Sequence, residues 1–257
     1  PSLVTSIDSS AFSWCKSLTK FTIPEGITSI SDGLFEFCIS LKQVNIHLSV
    51  TSIGSKSFCT CTNLTDIEIH PHIKSIGAGA FCKCYSLQKI NIPSSITRIE
   101  DSTFDECHSL TEICIPESIT YIGNKAFNGC ISFTNVSIPS SVSKTGGFSF
   151  GFCKSLKQVN LTCKTSIGKG TFYGCSSLID INIDTSENDN CSNFSIGEYA
   201  FTQCSSLQNI CLPSCIQIIC KSLFEKCSSL NHLEIPSQVN CIDEKAFSEC
   251  TSLTEIT

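Results

Sequence analysis

The sequence contains no methionine, a single tryptophan (Trp14) and few charged residues, which make up 16% of the 257 positions. The net charge of −6 leaves no basic surface to neutralise a phosphate backbone, so nucleic acid is not an expected partner. No run of eighteen apolar residues occurs, and residues 1–10 lack a signal-peptide pattern, so no transmembrane segment is expected. Because even an initiator methionine is missing, we expect the chain to be a piece of a longer protein.

Apolar residues make up 41% of the chain, and twenty cysteines stand among them. Eleven of these cysteines recur at intervals of 23 residues, apart from one interval of 22 and one of 29. They are Cys15, Cys38, Cys61, Cys84, Cys107, Cys130, Cys153, Cys175, Cys204, Cys227 and Cys250. A Phe precedes each by three residues, and a Leu follows each by three, except where Phe133 stands. This periodicity predicts a repeat protein.

Each unit continues with apolar and polar residues in alternation, rich in Ile and closed by Pro, as in residues 87–93. This pattern predicts a short strand. The Phe and the Cys, three residues apart, are predicted to share one face of a single helical turn. A unit of 23 residues cannot bury its own apolar side chains, so neighbouring units must stack, with their strands in a parallel sheet along one face.

The pattern Ile-Gly-x-x-Ala-Phe-x-x-Cys-x-Ser-Leu-x-x-Ile-x-Ile-Pro is almost complete in residues 76–92 and 122–138 and covers essentially the whole chain. It resembles the BspA-like leucine-rich repeat, also called the Treponema pallidum type. We therefore predict a leucine-rich repeat solenoid, an α/β-type right-handed superhelix of about eleven 23-residue repeats. Its parallel strands would line one face, with short helical or 3-10 turns and extended segments on the other. The resemblance implies protein binding or adhesion.

We predict a single domain over residues 1–257 with two irregularities. Around residues 142–171 the apolar pattern degrades, because Thr145 takes a usual Ile position; this is expected to be the softest interface of the stack. An insertion follows at 184–193, which is either a recognition loop or a solvated polar bulge. Calcium binding there is not expected, because the sixth and twelfth positions hold Asp189 and Ser195.

The eleven repeat cysteines are interpreted as small buried hydrophobes with weak S–H donors, in the free thiol state. Cys59 and Cys82 lie one period apart, at a separation that could permit a disulfide. With Cys61 and Cys84 they also suggest a zinc site. Residues two positions apart on a helical turn point in nearly opposite directions, so the four sulfurs would not converge and no metal is expected.

No catalytic constellation stands out, so the protein is not expected to be an enzyme or to need a cofactor. The histidines form neither a metal-binding helix motif nor a recognisable pair with a nucleophile. They are His47, His70, His72, His108 and His232.

The outward strand positions flank the inner Ile pair and are rich in amides, hydroxyls and carboxylates. The candidate binding residues on this face are Asp66, Glu68, Lys89, Asn91, Glu112, Asn135, Gln158 and Asn160. They include no aromatic anchor of the kind that dominates binding hot spots, so any binding here would be polar. The alternative is that they are only solvated strand positions.

Two functions follow from this organisation. The first is a non-enzymatic protein-interaction or adhesin-like module that binds a protein partner through its curved sheet face. The alternative is a structural or assembly element that forms homo-oligomers through uncapped ends. For the compartment, unpaired cysteines favour the reducing cytoplasm, whereas the family resemblance favours the cell surface or a membrane-associated location.

Overall fold

The computed structural model describes residues 3–185, 191 and 194–257. The chain winds into a parallel β-solenoid of about ten turns. In chain order the strands are β1 (Lys20–Thr22), β2 (Ser29–Ile30), β3 (Gln43–Asn45), β4 (Ser52–Ile53), β5 (Ser75–Ile76), β6 (Arg98–Ile99), β7 (Tyr121–Ile122), β8 (Asn135–Ser137), β9 (Lys144–Thr145), β10 (Gln158–Thr162), β11 (Asp180–Asp184), β12 (Ile218–Ile219), β13 (His232–Leu233), β14 (Cys241–Ile242) and β15 (Glu255–Ile256). No α-helix occurs in the described residues.

The first side of the coils carries the strands that the alternating pattern predicts, and we call it the sheet face. It contains β1, β3, β8, β10, β11, β13 and β15, which pair in parallel with neighbouring coils. Val159 of β10, for example, is in register with Val136 on one side and Ile181 on the other. All three side chains are buried, while the residues that flank them face outward.

The second side consists of two-residue strands and corresponds to the predicted extended segments. Ile30, Ile53 and Ile76 lie in register on β2, β4 and β5, and all three are buried. The remaining short strands, β6, β7, β9, β12 and β14, repeat this arrangement along the stack. Each coil therefore presents two extended segments to its neighbours rather than one.

The third side holds the Phe and Cys of each repeat, and here the prediction of helical or 3-10 turns is wrong. The segment forms successive β-turns, with the N–H of Cys38 bonded to the carbonyl of Phe35 at 3.0 Å. Two residues per coil have positive φ, such as Gly33 at 62° and Phe37 at 60°. This conformation at the third position of a four-residue turn is that of a type II turn, which does not continue as a helix.

The hydrogen bonds of this turn side explain why no helix forms. Alternate N–H groups point along the stack: Phe35 and Phe37 donate to the carbonyls of Ser57 and Cys59 in the next coil, at 2.7 and 2.8 Å. An α-helix would direct every such N–H back to its own chain. Stacking therefore decides the backbone conformation, because it supplies carbonyl partners that an isolated unit lacks.

The core is built as the repeat predicts. The eleven Phe rings that precede the repeat cysteines form one continuous column, with neighbouring centroids 5.1 to 5.8 Å apart and ring planes within 17° of parallel. Every repeat cysteine from Cys38 onward has its sulfur 3.0 to 3.3 Å from the carbonyl oxygen of a Phe in the preceding coil. The interpretation of the repeat cysteines as buried, weak S–H donors is confirmed for the nine from Cys38 to Cys227, whereas Cys15 is exposed and Cys250 is half-buried at the two ends of the stack.

The irregular stretch at 142–171 stays within the stack. Thr145 is in register with Ile122 and fully buried. Its hydroxyl accepts a hydrogen bond from the N–H of Gly168 and lies 3.0 Å from the hydroxyl of Thr171. Hydrogen bonds between coils thus take the place of the missing apolar contact.

A disulfide joins Cys163 to Cys191, with the Cα atoms 5.5 Å apart, and the other eighteen cysteines are free. Cys59 and Cys82 are among the free ones, so the bridge considered for them is not formed in this structure. The insertion predicted at 184–193, either a recognition loop or a solvated polar bulge, lies outside the described residues, except for Asp184, Thr185 and Cys191.

Candidate functional site

The predicted binding residues all lie on the sheet face, with their side chains directed away from the core. Asp66, Glu68, Lys89, Asn91, Glu112, Asn135 and Gln158 are exposed, and Asn160 is half-buried. The strand alternation explains this placement, because the Ile or Val residues between them are turned inward. The structure thus places these residues on one face, while their role in binding stays a prediction.

A depression of about 630 Å³ crosses three neighbouring coils on this face. Five of the predicted residues line it: Asp66, Glu68, Lys89, Asn91 and Glu112. Its other lining residues are Ile67, Ile90, Ile113 and Cys114. We call this surface the acidic depression. Its floor is apolar, formed by the edges of the three Ile side chains, and its rim is polar.

The acidic depression coincides with a gap in the hydrogen-bonded sheet. The positions 66–69, 89–92 and 112–115 form no regular strand, and the pairing recorded there is an isolated bridge between Asp66 and Lys89. The side chain of Asn91 bonds to the preceding coil instead: its amide nitrogen donates to the carbonyl of Ile69 at 2.7 Å, and its oxygen lies 3.4 Å from the N–H of Ile69. A side chain therefore satisfies backbone groups that a strand would otherwise pair.

The charges around the acidic depression do not balance. Three carboxylates, those of Asp66, Glu68 and Glu112, share the rim with one ammonium group, that of Lys89, which gives a formal charge of −2. A concave surface with an apolar floor strengthens the field of its rim charges compared with a flat, fully solvated one. The site therefore attracts cationic groups.

The other predicted residues are not part of the acidic depression. Asn135 and Gln158 lie on the paired strands β8 and β10. Asn160 lines a separate hollow of about 310 Å³ together with Glu117 and Asp184. The eight residues predicted as one site thus divide between the acidic depression and the well-paired part of the same face, where Asn160 lines a smaller hollow.

Sequence reasoning missed two features near the sheet face. One is a hollow of about 360 Å³ farther along the stack, lined by His232 and Glu234 among others. The other is the buried imidazole of His70, whose Nε2 lies 3.1 Å from the carbonyl oxygen of His47, while its Nδ1 has no hydrogen-bond partner. The outward positions of the repeat include His232 and Glu234, but no sequence signal indicates at which coils the sheet face forms a hollow.

The zinc alternative fails on geometry. Cys61 and Cys84 turn into the core, where their sulfurs approach the carbonyls of Phe35 and Phe58, whereas Cys59 and Cys82 lie half-buried at the outside of the turn side. Burial raises the pKa of the Cys61 and Cys84 thiols well above the usual range, so both stay protonated at neutral pH. In the part of the chain that the structure describes, no group of three or more potential ligand side chains could hold a metal ion.

The described part of the chain contains no helix with the length and apolar character that crossing a bilayer requires.

Comparisons with known proteins agree with this architecture. The family model of the BspA type leucine rich repeat region matches in six copies over residues 1–111, 97–194 and 190–257. A leucine rich cell surface protein from Faecalibacterium prausnitzii has a similar structure, with 28% identity and a TM-score of 0.53 over 98% of this chain and 82% of that one. The leucine rich repeat protein of T. pallidum has 27% identity and a TM-score of 0.55 over 62% and 72% of the two chains.

The pneumococcal vaccine antigen PcpA shares the fold, at 18% identity and a TM-score of 0.58, over 93% of this chain and 61% of that one. No curated protein matches the sequence.

Proposed function

Starting from the fact that the chain belongs to the BspA-type leucine-rich repeat family, we propose that it is a non-enzymatic protein-interaction module that binds through its sheet face. The observation that carries this proposal is the acidic depression, a hollow of about 630 Å³ that combines an apolar floor with a negatively charged rim. Repeat solenoids use extended surfaces of this kind for binding.

The chemistry of the acidic depression favours a protein partner that presents Lys or Arg side chains. Such side chains have an apolar stem and a cationic head. The stem can pack on Ile67, Ile90 and Ile113, while the head reaches the carboxylates of the rim. Charge complementarity of this kind contributes mainly to the association rate and to specificity.

For the location, we favour the cell surface over the cytoplasm. One similar structure is that of a leucine rich cell surface protein. The disulfide between Cys163 and Cys191 is typical of an oxidising environment. The free thiols of the repeat column do not argue against this, because those from Cys38 to Cys227 are buried, where an external oxidant does not reach them, and are bonded to carbonyls.

The proposal is tested with fluorescently labelled peptides of equal length that carry either Lys and Arg or Glu, with binding followed by anisotropy at low and at physiological salt. We expect the basic peptides to bind and salt to weaken the binding. The double variant Asp66→Lys/Glu112→Lys should reduce affinity about tenfold or more, which corresponds to ~1.4 kcal/mol.

A matched control is the double variant Asp180→Lys/Glu255→Lys, which makes the same change in total charge at outward positions of the same strand column. Because neither residue lines the acidic depression, this control should retain most of the affinity. Equal losses in both double variants, or basic peptides that bind no better than acidic ones, would contradict the proposal.

A further inference from the structure

Two cysteines outside the repeat column occupy the same position on neighbouring coils. Cys59 and Cys82 each stand two residues before a repeat cysteine. The N–H of Phe58 donates to the carbonyl of Ala80 at 2.8 Å, and the N–H of Thr60 donates to the carbonyl of Cys82 at 2.7 Å. Neighbouring strands of a parallel ladder lie ~4.8 Å apart, and bridged cysteines have Cα atoms roughly 4.4–6.8 Å apart. The backbone therefore holds the two residues within bridging distance.

The two thiols already interact with each other. The thiol of Cys82 is close enough to that of Cys59 to alter its pKa, and the hydroxyl of Thr60 lies 3.6 Å from the sulfur of Cys59. Both side chains are half-buried, in contrast to the repeat cysteines Cys61 and Cys84, which are fully buried in the same coils. Solvent therefore reaches this pair but not its neighbours in the core.

The surroundings shift the pKa values of the two thiols in opposite directions. The neighbouring thiol of Cys82, the hydroxyl of Thr60 and the ammonium group of Lys56 lower the pKa of Cys59 to about 7, against the opposing effects of burial and of the Glu36 carboxylate. The pKa of Cys82 is raised, first because its proton is held by Cys59, then by burial and by the Asp105 carboxylate. At neutral pH, a pKa of about 7 makes roughly half of Cys59 thiolate, the form that attacks a disulfide.

We propose that Cys59 and Cys82 form a thiol–disulfide exchange site that accepts an external disulfide, with Cys59 as the attacking thiol and Cys82 as the resolving thiol. The Cys59 thiolate attacks one sulfur of the external disulfide, forms a mixed disulfide and releases a thiolate, which takes up a proton. Cys82 then loses its proton and attacks the sulfur of Cys59, which releases the second external thiol. The two cysteines lose two electrons and become bridged, and the external disulfide is reduced to two thiols.

The site lies behind the proposed binding surface. Cys59 belongs to the coil that carries Asp66 and Glu68, and Cys82 to the coil that carries Lys89 and Asn91. The bridge would therefore connect, on the turn side, the two coils whose sheet-face segments are joined by the isolated bridge of Asp66 and Lys89 and by the side chain of Asn91 rather than by a regular ladder. The proposal does not depend on what the sheet face binds.

The test uses the whole chain, incubated with reduced and oxidised glutathione at several ratios at pH 7, then quenched with acid, alkylated and digested with trypsin. Cleavage after Lys56, Lys74 and Lys83 separates Cys82 from Cys84, so the bridge is expected as a link between peptides 57–74 and 75–83. Peptide 57–74 contains both Cys59 and Cys61, and fragment ions that separate the two identify which of them is bridged. In the fully reduced protein, Cys59 should be alkylated at pH 7 faster than Cys114, which is more exposed.

Two serine variants distinguish the attacking thiol from the resolving thiol. Cys82→Ser should accumulate glutathione on Cys59 as a mixed disulfide, because no resolving thiol remains, and Cys59→Ser should form neither the mixed disulfide at this position nor the bridge. Cys114→Ser is the control and should bridge as the wild type does. Absence of the linked peptides at every glutathione ratio, or alkylation of Cys59 no faster than that of Cys114, would overturn the proposal.

Discussion

Two stretches of the sheet face differ in a way that the repeat does not reveal. Around residues 66–115 the apolar repeat is at its most regular, yet the sheet ladder is open and the acidic depression forms. Around residues 142–171 the apolar pattern degrades, yet β8, β10 and β11 in and beside this stretch form a well-paired sheet, with three residues in β8 and five each in β10 and β11. Apolar regularity guarantees a shared core, but it does not guarantee that the backbone in front of the core is paired.

In each stretch, the hydrogen bonds of one side chain compensate for what the repeat lacks there. In the open stretch, the side chain of Asn91 bonds to both backbone groups of Ile69. In the paired stretch, the hydroxyl of Thr145 links its coil to Gly168 and Thr171. Hydrogen bonding by single side chains therefore compensates for a missing strand in one case and for a missing apolar contact in the other.

The largest expected effect tests what the two stretches share, the column of stacked Phe rings. Phe104 lies in the regular part and Phe150 in the irregular part, and both are buried between two neighbouring rings. Phe104→Ala and Phe150→Ala should each lower the free energy of unfolding by roughly 3–5 kcal/mol, measured by urea denaturation. A much smaller loss for Phe150→Ala would mean that the core is weaker in the irregular part.

A smaller effect is expected from restoring the apolar pattern at Thr145. Thr145→Val leaves the N–H of Gly168 without its acceptor and the hydroxyl of Thr171 without one of its partners, inside the core. We expect the free energy of unfolding to fall by about 1–3 kcal/mol, although the change makes this coil more like the others. A neutral or stabilising effect in the same urea experiment would show that the hydroxyl network contributes nothing.

The smallest effect is expected at the open ladder. Asn91→Ala removes the side chain that bonds to the backbone of Ile69 and should cost ~0.5–1.5 kcal/mol, because the site is partly solvated. Amide hydrogen exchange should become faster at Ile69. Asn182→Ala on β11 is the control, since its neighbours are held by the ladder, and unchanged exchange at Ile69 in the Asn91 variant would contradict this account.

Much of this fold could be predicted from the periodic residues. The inward Phe column, the buried repeat cysteines and the outward position of Asp66 or Glu112 all follow from spacing and alternation. The helical turns could not be excluded in this way, because Phe35 and Cys38 are three residues apart in a type II turn as well as in a helix. What distinguishes the two conformations is the destination of the N–H groups, which depends on the next coil.

The candidate site could be predicted only as a face. Alternation gave all eight binding residues the same orientation, but five of them line the acidic depression and three do not. The disulfide between Cys163 and Cys191 was also not predictable. Both cysteines fall outside the repeat, and because the insertion lies between them, the repeat spacing does not determine how far apart they are in space.

The sequence by itself determined that the chain is a stack of similar coils with a Phe, Cys and Ile interior, because each unit carries more apolar side chains than it can bury alone. Only the tertiary structure decided where neighbouring coils pair through their backbones and where the sheet face forms a hollow. The physical reason is that inward burial depends on residue type and spacing within one coil, whereas backbone pairing depends on the geometry of two coils and on single side chains such as that of Asn91, which can take the place of a strand.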